Sequence, residues 1–291
     1  MRLPAPGVTA VVGANNSGKS TLLREIYMAL VRELYVEPHQ FLLLKALELR
    51  RSGSALDMID WLAQHVTRVP HSRQGTQIGF MGQFQNQAED PKTLHDLWAM
   101  LQTHRDRLAS FHQYFAYHLT AETRLGLTAP QPRRNSFTDP AVQPVHYLED
   151  DPEALSKIKA LSERLFRQTL TLDLLSNHLR LRVGKPAVEA PPIDALTREY
   201  QQALAELPNL FEQGDGMKSL LGLLVPVVTA ARPIFIIDEP EAFLHPPQAA
   251  ALGQVLGELA TENRIQIILA THDRNLLTGL LQSEADISVV R

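Results

Sequence analysis

Val8-Thr9-Ala10-Val11-Val12-Gly13-Ala14-Asn15-Asn16-Ser17-Gly18-Lys19-Ser20-Thr21 is the stretch from which the rest of the chain can be read. Val8 to Val12 is short, apolar and β-branched, which predicts a buried strand ending at Gly13. Leu22, Leu23, Ile26, Leu30 and Leu34 recur at helical spacing and predict a helix over about Lys19–Leu34. Between them, Gly13 to Ser20 fits the pattern G-x-x-x-x-G-K-[ST] in full. Glycines at the two ends let the backbone wrap a phosphate with its N–H groups pointing inward. Lys19 then reaches the β- and γ-phosphates, and the Ser20 hydroxyl is placed for Mg²⁺. The helix adds the positive end of its dipole. Gly13, Asn15, Asn16, Ser17, Gly18, Lys19, Ser20 and Thr21 are the candidate nucleotide contacts.

Two further elements lie near the other end of the chain. Ile234-Phe235-Ile236-Ile237 is an apolar run expected as a strand buried on both faces, and it delivers Asp238, Glu239 and Pro240 at its carboxyl end. Ligands of open α/β sheets bind at those ends. Asp238 is therefore a candidate for the Mg²⁺ shell with Ser20, and Glu239 for accepting a proton from an attacking water. Thr271-His272-Asp273 follows a second apolar run, Ile265–Leu269, so His272 is expected at another strand's carboxyl end, within reach of a γ-phosphate.

Helix-like patterns span Phe41–Leu49, Ala55–Val66 and Thr93–His112, with a polar surface excursion over Pro70–Pro91 that includes a short strand at Gln77–Phe80. Tyr114–Leu119 reads as a strand and the proline-rich Pro130–Pro144 as a loop. Leu155, Ile158, Leu161 and Leu165 mark a helix, after which the period falls to two. Leu170, Leu172, Leu174 and then Leu179, Leu181, Val183 predict a hairpin turning near Ser176-Asn177. Asp194 can cap a helix running to Leu207, and Gly216–Ala231 is apolar and helical. Pro246 and Pro247 suit the first turn of a helix to about Thr261, Asp273 caps another to Leu281, and Ile287–Val290 is a last strand. The ends are thus α/β and the middle mostly helical.

The composition is that of an ordinary globular chain: 291 residues, 44% hydrophobic, 21% charged, net charge −4. No cysteine is present, which excludes disulfide frameworks, zinc–cysteine and iron–sulfur sites and cysteine nucleophiles. No apolar run approaches the ~18 residues of a membrane span, and the N-terminus lacks a signal-peptide pattern, so a cytoplasmic protein with no membrane partner is expected. Residues 157–185 carry Lys157, Lys159, Arg164, Arg167, Arg180, Arg182 and Lys185 against Glu163 and Asp173, a run that could track a phosphate backbone or form a solvated face. Glu149, Asp150, Asp151 and Glu153 could form a metal cluster, but four acids ahead of a helix starting near Leu155 are expected to complement its dipole instead.

The order GANNSGKST, IIDEPEAFLH, LATHD resembles the ABC-type P-loop ATPases, and within them the branch of RecF, the SMC-like proteins and the OLD (overcoming lysogenisation defect) family. The motifs cover about residues 7–24 and 205–291. The resemblance implies an α/β P-loop NTPase core with a mostly parallel sheet, here 1–40 and 205–291, and an inserted, largely helical lobe, 41–204, with a β-hairpin near 169–183. It implies ATP and Mg²⁺ as cofactors, Lys19, Glu239 and His272 as catalytic residues, and two protomers closing head to tail around ATP. A signature loop from the partner completes each site. Gly214-Asp215-Gly216-Met217-Lys218-Ser219 stands in its place, without the usual Leu-Ser-Gly-Gly-Gln, so Gly214 and Gly216 are its candidate phosphate contacts. Family members carry a strand pair and a base-contacting segment ahead of the P-loop. Seven residues precede Val8, so that surface is expected from elsewhere, or the chain is truncated. The glutamine that family members place after the strand entering the lobe is absent from Thr120-Ala121-Glu122-Thr123-Arg124, leaving Gln83 and Gln85 as candidates, and His245 stands near the family's D-loop aspartate. No Toprim nuclease is expected after the last strand. The function implied is an ATP-gated dimeric ATPase in DNA repair or anti-phage defence, with DNA or an effector protein encoded nearby as partner. The other expectation is a nucleotide-sensing scaffold that regulates an effector without hydrolysis.

Overall fold

The computed structural model describes residues 3–34, 40–51, 53–70, 78–81, 89–135, 139, 141, 143–229 and 232–291. Strand β1 (Gly7–Val12) runs straight into the glycine turn, and helix α1 (Lys19–Val31) runs out of it. In chain order there follow α2 (Ala55–His65), β2 (Thr67–Pro70), β3 (Ile78–Met81), α3 (Pro91–Leu101), α4 (His112–Phe115) and β4 (Ala116–Leu119). Next come α5 (Ala121–Gly126), β5 (Gln131–Pro132), α6 (Pro144–Asp150), α7 (Pro152–Phe166), β6 (Leu170–Asp173), β7 (His178–Val183), α8 (Arg198–Ala205) and α9 (Asp215–Val228). The chain closes with β8 (Ile234–Asp238), α10 (Pro246–Glu262), β9 (Gln266–Thr271), α11 (Arg274–Leu281) and β10 (Ile287–Val290).

The central sheet has the order β10-β1-β9-β8-β4, and every neighbouring pair is parallel. A parallel sheet must be covered on both faces, and side chains alternate between them. Val8, Ala10, Phe235, Ile237, Ile267 and Leu269 face one apolar cluster with α7, α9, α10 and α11. Val11, Ile236, Ile268 and Ala270 face a second with α1, α2 and α3. The result is a three-layer α/β fold in which the Gly13–Gly18 turn lies at the carboxyl end of the sheet. Two small antiparallel sheets flank it: β2 with β3, and β5-β7-β6, in which the expected hairpin pairs Asp173 with Arg180.

Several expectations change. Phe41–Leu49 is not helical. Three consecutive amides, those of Leu42, Leu43 and Leu44, donate to the Glu25 carboxylate of α1 at 2.8, 2.9 and 2.8 Å, a directionality that helical i−4 bonding forbids. The single helix expected over Thr93–His112 stops at Leu101, where the Arg51 guanidinium takes the carbonyls of Leu101, His104 and Arg107. Helix α8 is capped by Thr197, whose hydroxyl accepts from the Tyr200 amide, rather than by Asp194, which lies in a separate 3₁₀ turn. Ala116–Leu119 falls inside the 41–204 span expected to form the lobe, yet it pairs with β8 as an edge strand of the central sheet. Helix α7 of the same span shares the apolar cluster of α9 and α10. Gln77, Gln83 and Gln85 lie outside the described residues.

Helices α10 and α11 meet backbone to backbone. A Cβ on Gly279 would stand 1.8 Å from the Ala250 carbonyl oxygen, and one on Gly253 would stand 2.1 Å from that of Leu276. Overpacking a filled interface typically costs about 1–3 kcal/mol, more than the helix propensity that alanine adds. Gly279→Ala is therefore expected to lower the unfolding free energy by about that amount, measured by urea denaturation.

Candidate functional site

The glycine turn is built as the sequence pattern requires. Gly18 adopts φ +88° and Asn16 φ 61°, left-handed conformations that glycine takes freely and asparagine tolerates. A Cβ on Gly13 would stand 2.5 Å from the Ser17 hydroxyl. Ala14, Asn15, Asn16 and Ser17 are exposed, whereas Lys19 is buried and its ammonium donates to the carbonyls of Gly13 and Ala14 at 3.0 and 2.8 Å. Thr21 follows on the first turn of α1.

Strand register brings the other elements to this turn. Val12 lies level with Thr271, and Asp238 with Ala270. The Ser20 hydroxyl donates to Asp238 Oδ1 at 2.9 Å across 218 positions of chain. One hydroxyl and one carboxylate are hard oxygen donors, and among the described residues no cluster of three or more potential metal-ligating side chains occurs. That donor set suits Mg²⁺, which keeps several waters and shares phosphate oxygens rather than filling an all-protein cage.

Beyond Asp238 the chain turns sharply. Glu239 has φ 44°, unusual for a residue with a side chain, and its amide donates to the Ala270 carbonyl at 3.0 Å. Its carboxylate, half exposed, lies 3.3 Å from His272 Nδ1. Glu241 is buried beneath this pair. Its Oε1 accepts from the Thr271 hydroxyl at 2.6 Å and the His272 amide at 3.3 Å, and lies 3.6 Å from His272 Nδ1. Burial pushes the Glu241 carboxyl up, against the pull of the Thr271 and His272 donors. On the other side of the turn, Arg124 donates to the carbonyls of Asp238 and Glu239.

Residues 122–278 match the family described as "AAA domain, putative AbiEii toxin, Type IV TA system". The chain belongs to this family. A curated relative, the uncharacterised protein MJECL11 of Methanocaldococcus jannaschii, is 32% identical over 69 residues, 24% of this chain and 60% of the relative. The chain thus spans about 60% of the length of the curated relative it matches. Among solved structures, an SMC head bound to the C-terminal winged-helix domain of ScpA superposes over 98% of this chain and 86% of its own at a TM-score of 0.51 and 12% identity. The SMC head domain of Thermotoga maritima covers 94% and 84% at a TM-score of 0.40 and 15% identity. This AAA-family chain therefore has the P-loop ATPase fold seen in the SMC head.

Within this AAA-family protein the signature-loop candidates stand at the start of α9. Gly214 caps α9 and Gly216 lies in its first turn, and a Cβ on Gly216 would meet the Phe243 carbonyl at 2.6 Å. Among the described residues neither glycine has a hydrogen bond to the P-loop. His245 caps α10, its amide donating to Gln248.

Three residues of the site escaped sequence reasoning. Glu25 latches residues 42–44 beside the P-loop, where Leu43 packs 2.9 Å from the position of a Cβ on Gly18. Its signal is a carboxylate between Leu23 and Ile26 on the apolar face of α1. Burial raises the Glu25 carboxyl, but the three amide donors outweigh it and hold the group below its usual range. Glu241 stands in the quoted IIDEPEAFLH and Arg124 in Thr120–Arg124, but nothing in the spacing of either reveals burial.

The raised Glu241 carboxyl has a thermodynamic consequence. A carboxyl whose folded pKa lies above its unfolded value contributes stability that is present below the unfolded value and lost as pH rises through the folded one. Glu241→Gln keeps an acceptor for Thr271 and removes the buried charge. The variant is expected to melt above wild type at neutral pH, with the gap closing as pH falls toward about 4. Calorimetric melting across that range checks it, and a pH-independent gap would count against it.

Proposed function

We propose that this protein binds Mg²⁺-ATP at the Gly13–Thr21 turn and hydrolyses it, acting as an ATP-gated switch. The observation that carries the reading is the meeting of Ser20 with Asp238 at 2.9 Å beside the Glu239–His272 pair at 3.3 Å. The Lys19 ammonium exchanges its bonds to the Gly13 and Ala14 carbonyls for phosphate oxygens. Ser20 and Asp238 would hold the ion, which would supply charge neutralisation for the bound phosphates. Glu239 accepts a proton from the attacking water, and His272, half exposed at the end of β9, contacts the γ-phosphate.

The dimer reading draws on the exposed start of α9 at Gly214 and on exposed Phe243 beside Gly216, a surface suited to a second copy of the chain. The family's description names a toxin of a type IV toxin–antitoxin system, in keeping with a defence role and a partner protein encoded nearby. DNA contact through residues 157–185 draws less support. Arg182 is buried and bonded to Asp173 at 2.7 Å, Lys157 pairs with Glu262, and Arg164 pairs with Glu258 at 2.9 Å. A protein effector is the favoured client.

Phosphate release and ATP affinity of purified protein test the reading. Lys19→Ala is expected to abolish ATP binding or turnover, and unchanged affinity together with unchanged turnover would sink the P-loop assignment. Glu239→Gln is expected to keep ATP bound and slow hydrolysis by about 10²–10⁴-fold. Wild-type protein that binds ATP tightly and releases no phosphate would favour the nucleotide-sensing scaffold.

A further inference from the structure

Among the described residues Arg124 is the largest side chain that is fully buried. It sits on α5, directly after edge strand β4, and its donors are spent in three directions. Nε donates to the Ser219 hydroxyl of α9 at 3.1 Å, Nη1 to the Asp238 carbonyl at 2.7 Å and Nη2 to the Glu239 carbonyl at 2.9 Å. Helix α9 comes close enough for this because residue 222 is glycine: a Cβ there would stand 1.9 Å from the Arg124 carbonyl oxygen. Burying a guanidinium is costly, and burial lowers its pKa to about 10, with Glu241, Asp238 and Glu239 pulling it back up. The group is still charged at neutral pH.

The geometry at Glu239 shows what this cation does. A left-handed conformation at a residue with a side chain persists only where its surroundings over-determine it. The Glu239 amide is held by the Ala270 carbonyl of β9, and its own carbonyl is held by Arg124. Pinning the groups on both sides of Cα fixes φ and ψ, and with them the direction in which the carboxylate leaves the backbone. A guanidinium fork suits two successive carbonyls, and the point charge of a lysine does not reproduce it. We propose that Arg124 is the positioning residue of this site, holding the main chain of Asp238 and Glu239 so that the Glu239 carboxylate is aimed at the water it deprotonates, and tying that turn to α9 through Ser219. The proposal rests on the ATPase reading above.

Arg232 supplies a control for a role that is structural and nothing more. It too is buried, donating to the Ala116 carbonyl at 2.7 Å and lying over the Tyr117 ring, but Ala116 is at the amino end of β4, opposite the site. Arg124→Lys and Arg232→Lys are compared with wild type for melting temperature, ATP affinity, kcat and KM. Both are expected to lose stability. Arg124→Lys alone is expected to lose about 10²-fold in kcat with ATP affinity kept, the scale set by misplacing a catalytic group by about 1 Å. Combined with Glu239→Gln it is expected to add no further loss, since it acts through Glu239. Hydrogen exchange at the Glu239 amide gives a readout without turnover and is expected to quicken at least about tenfold in Arg124→Lys and not in Arg232→Lys. Unchanged exchange, or a kcat loss no larger than that of Arg232→Lys, would overturn the proposal. If Arg124→Lys does not fold, Ser219→Ala, which removes the Nε acceptor alone, is expected to quicken the same amide and slow turnover. No change in either would overturn it. A wild-type protein that neither binds nor cleaves ATP would remove the ATPase reading instead, and the exchange comparison would still decide whether Arg124 holds the turn.

Discussion

Parallel pairing of β1, β9 and β8 in a fixed register is the constraint on which the site depends. With Val12 level with Thr271 and Ala270 level with Asp238, the three strands end together, and whatever follows each of them is delivered to one edge. The Gly13–Gly18 turn follows β1, Asp238 ends β8 with Glu239 next to it, and His272 follows β9. In parallel strands with alternating buried faces, a slip of one residue would send every core side chain of a strand to the opposite layer. The two apolar clusters therefore hold the register, and the register holds the chemistry.

Beneath that edge the protein keeps charge away from water. Arg124, Glu241 and Lys19 are buried within a few residues of one another in space, and each has donors or acceptors met by main chain, hydroxyl or both. An apolar filling would have been easier to bury, since taking ions out of water is offset only by well-placed partners. What apolar side chains cannot do is bind carbonyls and amides. Here they must be bound, because the turn at Glu239 and the end of β9 at His272 both depart from regular strand geometry and leave main-chain groups that strand pairing does not satisfy.

The same accounting changes the meaning of the basic run in residues 157–185. As composition it is a patch of positive charge. In the fold Lys157, Arg164 and Arg182 pair with Glu262, Glu258 and Asp173, acids drawn from the hairpin itself and from α10. Arg182 also donates to the carbonyls of Ala205 and Leu207, which makes it a clasp between β7 and the end of α8. Lys157 and Arg164 tie α7 to α10, and α7 packs into the same apolar cluster as α9 and α10.

What the sequence determined by itself was local. Short apolar runs marked β1, β8, β9 and β10, the G-x-x-x-x-G-K-S turn marked the phosphate cradle, and carboxylates placed at a strand's end marked Asp238 and Glu239, because each of those signals is carried by neighbouring residues. Tertiary structure decided what distant residues do to one another. Phe41–Leu49 has an apolar spacing compatible with a helix, but Glu25 captures three of its amides, and a carboxylate on another element leaves no trace in that spacing. Ala116–Leu119 belongs to the central sheet because β8 is there to pair with it. Arg124 and Glu241 look in the sequence like any solvated charges. Their burial follows from the closeness of α5 to α9 and of β8 to β9, which depends on glycine at 222 and on the strand register rather than on any residue beside them.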